Sequence, residues 1–158
     1  MDTTYPDGTT PVGVARSAVM SSPFHTTTID VHTGRRETVT DITDECEAFL
    51  TAVGARDGLL NVFVPHATAG IAVIETGAGS DEDLLDALAD LLPRTDRWRH
   101  QHGSTGHGRD HVLPALVAPH ATLPVVAGRI ALGTWQSVLL VDTNRDNPDR
   151  TVRLSFLG

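Results

Sequence analysis

From Phe24 onward, hydrophobic and polar positions fall into short runs of clear period, whereas residues 1–22 are rich in Thr, Pro, Gly and Ser without one. The first stretch reads as a flexible arm, followed by a single domain over residues 23–158. Phe24 to Val31 is β-branched and partly alternating, Gly34 offers a turn, and Glu37 to Thr40 resumes the pattern. Together these predict a hairpin. A helix is predicted from Thr43 to Val53, with an apolar stripe at Phe49, Leu50 and Val53 and with Gly54 ending it. Asp44 and Glu47 have the spacing of a capping box at its start. Strands follow at Leu59 to Val64 and Ile71 to Glu75. Ser80 then caps an amphipathic helix whose Leu84, Leu85, Leu88, Leu91 and Leu92 recur at helical spacing until Pro93 stops it.

Arg94 to Gly108 has no period and holds three histidines and three glycines. A polar loop of that length inside a compact domain is usually functional or disordered, and the histidines favour function. Asp110 to Ala118 suits a short helix with His111 in its first turn, despite Pro114. Strands are predicted at Leu123 to Val126, Arg129 to Leu132, Trp135 to Val141 and Thr151 to Phe156, with Gly128, Gly133 and Asn144 to Asp149 as turns. The order of elements predicts an α+β fold, an antiparallel sheet with helices on a face.

Composition narrows the chemistry. All 12 basic residues are arginine, which excludes a lysine Schiff base, a P-loop lysine and a lysine general base. A formal net charge of −8 disfavours attraction to nucleic acid or an anionic membrane, although local arginines can hold a small phosphorylated substrate. No apolar run approaches the roughly 20 residues of a membrane span, and no secretory signal is visible, so a cytoplasmic protein is expected. The single cysteine, Cys46, forbids an internal disulfide and a multi-cysteine zinc site. Its place in the first helix makes it a core thiol.

Imidazole and carboxylate groups are what remain for chemistry near neutral pH. His66 leaves a strand into a turn of small residues, where the backbone amides of Thr68, Ala69 and Gly70 can face an anion. Glu75 ends a strand expected to be buried on at least one face, where a carboxylate must be paired or bind something. His100 and His111 join His66 and Glu75 as candidates. His102 and His107 share the loop; His107 and His111 have i, i+4 spacing, but Gly106 and Gly108 argue against a helix through both. His25, His32 and His120 read as structural. Asp83 is either catalytic or a complement to the helix dipole. Arg129 clamps a phosphate or pairs with Asp142 across the sheet. Trp135 reads as core rather than a stacking platform, and Gln136 bonds a substrate ring or its own neighbours.

His66-Ala-Thr-Ala-Gly, Glu75, Asp83 in a leucine-rich helix, His100, His111 and the block Gly128-Arg-Ile-Ala-Leu-Gly-Thr-Trp-Gln136 together resemble the YjbQ-like family. That family is also called secondary thiamine-phosphate synthase, and the resemblance runs from about Phe24 to Gly158. It implies an α+β sandwich assembled as a homotrimer with sites near subunit boundaries. It also implies an activity that joins the pyrimidine and thiazole halves of thiamine. One departure is Asp142, where many members carry glutamate; the carboxylate here is one methylene shorter. Thr143-Asn144-Arg145 likewise departs from the family's acidic, glycine-containing turn.

Three functions follow as expectations. In the first, His66, Glu75, Asp83, His100 and His111 are catalytic in a thiamine-phosphate synthase, with Thr68, Ala69, Gly70, Arg129, Trp135, Gln136 and Asp142 binding substrate. In the second, His66, His100 and His111 hold a divalent metal, zinc or magnesium, in a hydrolase of small phosphorylated or heterocyclic compounds. In the third, a trimeric protein holds a small anion without turning it over.

Overall fold

A computed structural model describes residues 23–158; the expected arm, residues 1–22, lies outside the described residues. In chain order the elements are β1 (Phe24–His32), β2 (Thr38–Asp41), α1 (Thr43–Ala52), β3 (Gly58–Phe63), β4 (Ala69–Ile74) and α2 (Ser80–Leu91). Then come α3 (His107–Asp110), a 3-10 turn (Leu113–Ala115), β5 (His120–Val126), β6 (Arg129–Ile130), β7 (Ser137–Asp142) and β8 (Asp149–Leu157). The fold is α+β. One antiparallel sheet runs β1-β8-β3-β5-β6 and a smaller one runs β2-β7-β4.

The predicted hairpin does not form. β1 pairs along its length with β8, from Phe24 opposite Leu157 to His32 opposite Asp149, while β2 pairs with β7 in the other sheet. Adjacent strands in sequence are thus placed in different layers, and the turn at Gly34 is a crossing between sheets. The capping box is also not made. Asp41 Oδ1 instead accepts the Thr43 N–H at 2.9 Å and the Thr43 hydroxyl at 2.6 Å, and Glu47 accepts the Ile130 N–H at 3.1 Å.

Alternation decides which face each strand buries. Leu60 and Val62 of β3, Val152, Leu154 and Phe156 of β8, and Val138 and Leu140 of β7 meet between the sheets. Cys46, Phe49 and Leu50 of α1 close this core. β7 is buried on both faces. Its Val141 belongs to a second, smaller core with Leu88 and Leu92 of the α2 segment and Leu113. At about 1.5–3 kcal/mol for each buried aliphatic side chain, these two cores supply the main favourable term. They also hold the small sheet between the large sheet and the α2 layer, so the loop after α2 lies over the C-terminal end of β7.

Candidate metal centre

Half-buried Arg94 and fully buried Arg109 anchor that loop. Arg94 Nε donates to Glu37 at 3.1 Å, and its terminal nitrogens donate to the Thr105 carbonyl at 3.0 Å and the Thr143 carbonyl at 2.7 Å. Arg109, 2 % exposed, donates to the Leu92 carbonyl at 2.9 Å and pairs with Glu37. Burial pushes the Glu37 carboxyl up, but Arg109 and Arg94 together hold it below the usual carboxylate range. Fully buried Asp110 accepts from Thr143 Oγ1 at 2.8 Å and Asn144 Nδ2 at 3.2 Å. A charge-assisted frame of this kind fixes both ends of the loop.

Within the frame, four imidazoles converge. One ring nitrogen from each of His100, His102, His107 and His111 lies within 4.8 Å of the others. His107 Nε2 and His111 Nε2 are 3.0 Å apart. Two nitrogens bound to one tetrahedral zinc at about 2.0–2.1 Å would be about 3.3 Å apart, so the spacing is nearly that of a ligand edge. His107 and His111 do share a helix face: α3 starts at His107 and His111 caps it. The flanking glycines, which in sequence argue against that helix, serve it. Gly106 adopts φ +77° at the N-cap, and a Cβ on Gly108 would lie 2.5 Å from the His100 carbonyl oxygen and 2.6 Å from the Trp98 Cβ.

Hydrogen bonding assigns the His107 tautomer. Asn144 Oδ1 accepts the Asp146 and Asn147 amides, both at 2.9 Å, so its Nδ2 must face Asp110 and His107 Nδ1. An amide nitrogen accepts nothing, and the Nδ1 proton therefore goes to Asp146 Oδ2 at 2.6 Å. That leaves the Nε2 lone pair aimed into the cluster, the arrangement in which a carboxylate orients a ligating histidine. Burial works to raise the Asp146 carboxyl, but the Ser104 amide and His107 hold it below its usual range. His111 is held below the ordinary histidine value by burial and by the His100, His107 and His102 rings, against a smaller opposing effect of Asp110. A neutral ring keeps its lone pair available. Three of the four rings are exposed, and a polar cavity of about 320 Å³, bordered by Asp96, Trp98, Gln101 and Ser104, opens over His100, His102 and His107.

Of the other sequence candidates, His66 is not in this group. Its Nε2 accepts the Thr151 amide at 3.0 Å and its Nδ1 faces Arg150, which replaces the expected trio of His66, His100 and His111 by a quartet from one segment. Glu75 is exposed just beyond β4, not buried at its end, and Asp83 is exposed in the first turn of α2. Thr68 is buried, and Ala69 and Gly70 lie in extended strand opposite Asp142 and Val141 rather than in an anion nest. Asp142 does not pair with Arg129, which is exposed on the edge strand β6. It is clasped by Arg150 at 2.7 and 2.9 Å. Trp135 is 73 % exposed rather than in the core, because the Gly133 N–H donates to Gln136 Oε1 at 2.8 Å and closes a turn that carries the indole outward. Gln136 thus bonds its own neighbour.

Residues 27–158 match the family model described as UPF0047 protein YjbQ-like. The chain belongs to the YjbQ-like UPF0047 family. It is 65% identical to the UPF0047 protein Rv2556c of Mycobacterium tuberculosis over 132 residues, 84% of this chain and 97% of that one. It is 32% identical to UPF0047 protein YugU of Bacillus subtilis, covering 83% and 98% of the two chains. Among solved structures, a YbjQ-like protein of unknown function from Sulfolobus solfataricus superposes with a TM-score of 0.81 at 27% identity, covering 87% of this chain and 99% of that one. A hypothetical protein from Aeropyrum pernix gives 0.77 at 37% identity, over 85% and 98% of the two chains. These YjbQ-like relatives are named only as UPF0047 proteins or as being of unknown function. The expected thiamine-phosphate synthase activity is therefore withdrawn. Among the described residues no helix is long and apolar enough to cross a membrane.

Proposed function

We propose that this YjbQ-like protein binds a divalent transition metal through His100, His102, His107 and His111 and uses it to hydrolyse small phosphorylated or heterocyclic compounds. The convergence of four ring nitrogens within 4.8 Å carries this reading. An all-imidazole donor set favours zinc over magnesium, which prefers oxygen ligands. Where a coordination position beside these rings is left to water, zinc would supply Lewis acidity and an acidified water. Around it, Asp146 keeps the His107 proton on Nδ1 and so keeps Nε2 a ligand. Glu37, Arg94 and Arg109 hold the loop ends, so the rings need not be ordered anew when metal enters. Gln101 and Ser104 border the cavity with groups able to orient a polar substrate.

Metal analysis of the purified chain is the direct test. About one zinc per chain is expected, lost in His107→Ala and in His111→Ala, together with metal-dependent turnover of p-nitrophenyl phosphate or a cyclic amide. Wild-type protein that takes up no zinc, nickel or cobalt would overturn the metal reading, and a loaded but inert centre would overturn the hydrolase.

We further propose a homotrimer in a cytoplasmic setting. Phe24, Leu59, Phe63, Val126 and Leu157 are exposed on the outer face of the five-stranded sheet, an apolar surface of the kind that subunits cover. Light scattering should give about three times the 16.9 kDa chain mass; a monomer refutes the assembly.

A further inference from the structure

Away from the histidine quartet, the half-buried ring of His66 presents a hydrogen-bonding conflict. The Thr151 backbone N–H donates to Nε2 at 3.0 Å, so Nε2 carries the lone pair. A neutral imidazole then has its proton on Nδ1. Yet Nδ1 faces Arg150 Nη1 at 3.4 Å, and a guanidinium only donates. Flipping the ring gives no relief, because it sets a carbon against the Thr151 amide. The remaining guanidinium nitrogens are engaged: Nε and Nη2 donate to the two oxygens of Asp142 at 2.7 and 2.9 Å. Arg150 is 2 % exposed, and among the described residues its Nη1 has no partner but this ring. Two neighbouring N–H groups thus lack an acceptor.

Charge decides what kind of acceptor fits. Asp142 distributes its charge over Arg150, the Thr33 hydroxyl at 2.7 Å and the Asn144 amide at 3.0 Å, which leaves Nη1 as the electropositive edge of the pair. The ring senses this edge: besides burial, Arg150 lowers the His66 pKa more than Asp142 raises it. Asp149, next in sequence to Arg150, is turned to the exposed side, where it pairs with His32 at 2.7 Å. We propose that His66 Nδ1–H and Arg150 Nη1–H together bind one oxygen of an oxyanion, a carboxylate or a phosphoryl group. The site uses side-chain donors and is independent of the metal reading.

The test is made on the full chain carrying ¹⁵N-labelled histidine. Inorganic phosphate and acetate are titrated separately, with sodium chloride at matched ionic strength as control. Expected are an Nδ1–H tautomer for His66 in the free protein and a saturable shift of its ring signals. A response to phosphate alone assigns a phosphoryl ligand, and a response to acetate assigns a carboxylate. His66→Phe should weaken the interaction about tenfold, as loss of one charge-assisted hydrogen bond demands, while His111→Gln leaves it in place. An Nε2–H tautomer, no saturable shift with either anion, or undiminished binding in a folded His66→Phe overturns the proposal. Tautomer and shift are read on the wild-type chain, so a variant that fails to fold does not void the test.

Discussion

Removing the Asp146 carboxylate should weaken metal binding without dismantling the fold. Its Oδ2 is the common acceptor for His107 Nδ1 at 2.6 Å, the Ser104 amide at 3.1 Å and the Ser104 hydroxyl at 3.3 Å. In Asp146→Ala, His107 loses the group that fixes its tautomer, and the backbone at Ser104, within the histidine loop, loses its tether. Loss of an outer carboxylate of this kind costs about 10–100-fold in metal affinity, roughly 1.4–2.7 kcal/mol. Both effects fall on one residue, so Asp146→Ala belongs near the upper end. Asp146→Asn keeps an oxygen that can occupy the Oδ2 position and loses only the charge, so about tenfold is expected. Competition against a chromophoric chelator gives the zinc affinity, and cobalt substitution reports the coordination geometry. Asp149→Ala is the control, since that carboxylate is exposed and its only ion-pair partner among the described residues is His32. Zinc affinity in Asp146→Ala within about threefold of wild type would refute the reasoning about His107.

Three other outcomes can be checked. Burial foremost, with Glu45, Glu47 and Asp41 nearby, pushes the Cys46 thiol up to about 12, so native protein should resist alkylation at pH 8 and react only when unfolded. A Cβ at Gly70 would collide with the Val117 carbonyl oxygen, and Gly70→Ala should lower the urea midpoint by an amount worth about 1–3 kcal/mol; an unchanged midpoint would mean that β4 can shift. His66 sits below its ordinary value near 6.5, through burial and Arg150 with partial relief from Asp142. Its contribution to stability is therefore complete above about pH 6.5 and is lost as pH falls through the depressed value, so wild type should lose more stability than His66→Gln between pH 7.5 and 5.

What the sequence disclosed follows the range of each signal. α1 and α2 are legible because their apolar residues repeat within a turn or two, β3, β5 and β8 because their faces alternate, and β7 because it is a short continuous apolar run between turn residues. Pairing was not legible. β1 and β2 look like a hairpin locally, and only the partners β8 and β7, more than 90 residues away, show that they belong to different sheets. The same limit explains Trp135, whose apolar side chain suggested a core that a two-residue turn denies it. Of the four histidines that converge, the sequence singles out His100 and His111 and leaves His102 and His107 as even candidates. The decisive signal, the i, i+4 spacing of His107 and His111, was present but discounted for its flanking glycines. Those glycines are there because one adopts a positive φ and the other packs where a Cβ has no room.

The early grouping of His66 and Asp142 with the loop histidines has a physical basis that convergence on a single point does not express. Asn144 joins the two clusters. Its backbone N–H donates to Asp142 Oδ1 at 3.0 Å, and Asp142 in turn holds Arg150 beside His66. Its side chain, oriented by the Asp146 and Asn147 amides, contacts Asp110 and the His107 ring. At 2 % exposure it has no water with which to exchange these partners. A change at either cluster must therefore be accommodated through one amide side chain whose four hydrogen-bonding directions are already constrained. Charge reaches the quartet by the same route only in attenuated form, because Asp142 and Arg150 neutralise each other before Asn144. The link is thus one of position rather than potential: it sets where Asp146 and His107 stand and leaves their ionisation to the groups that touch them.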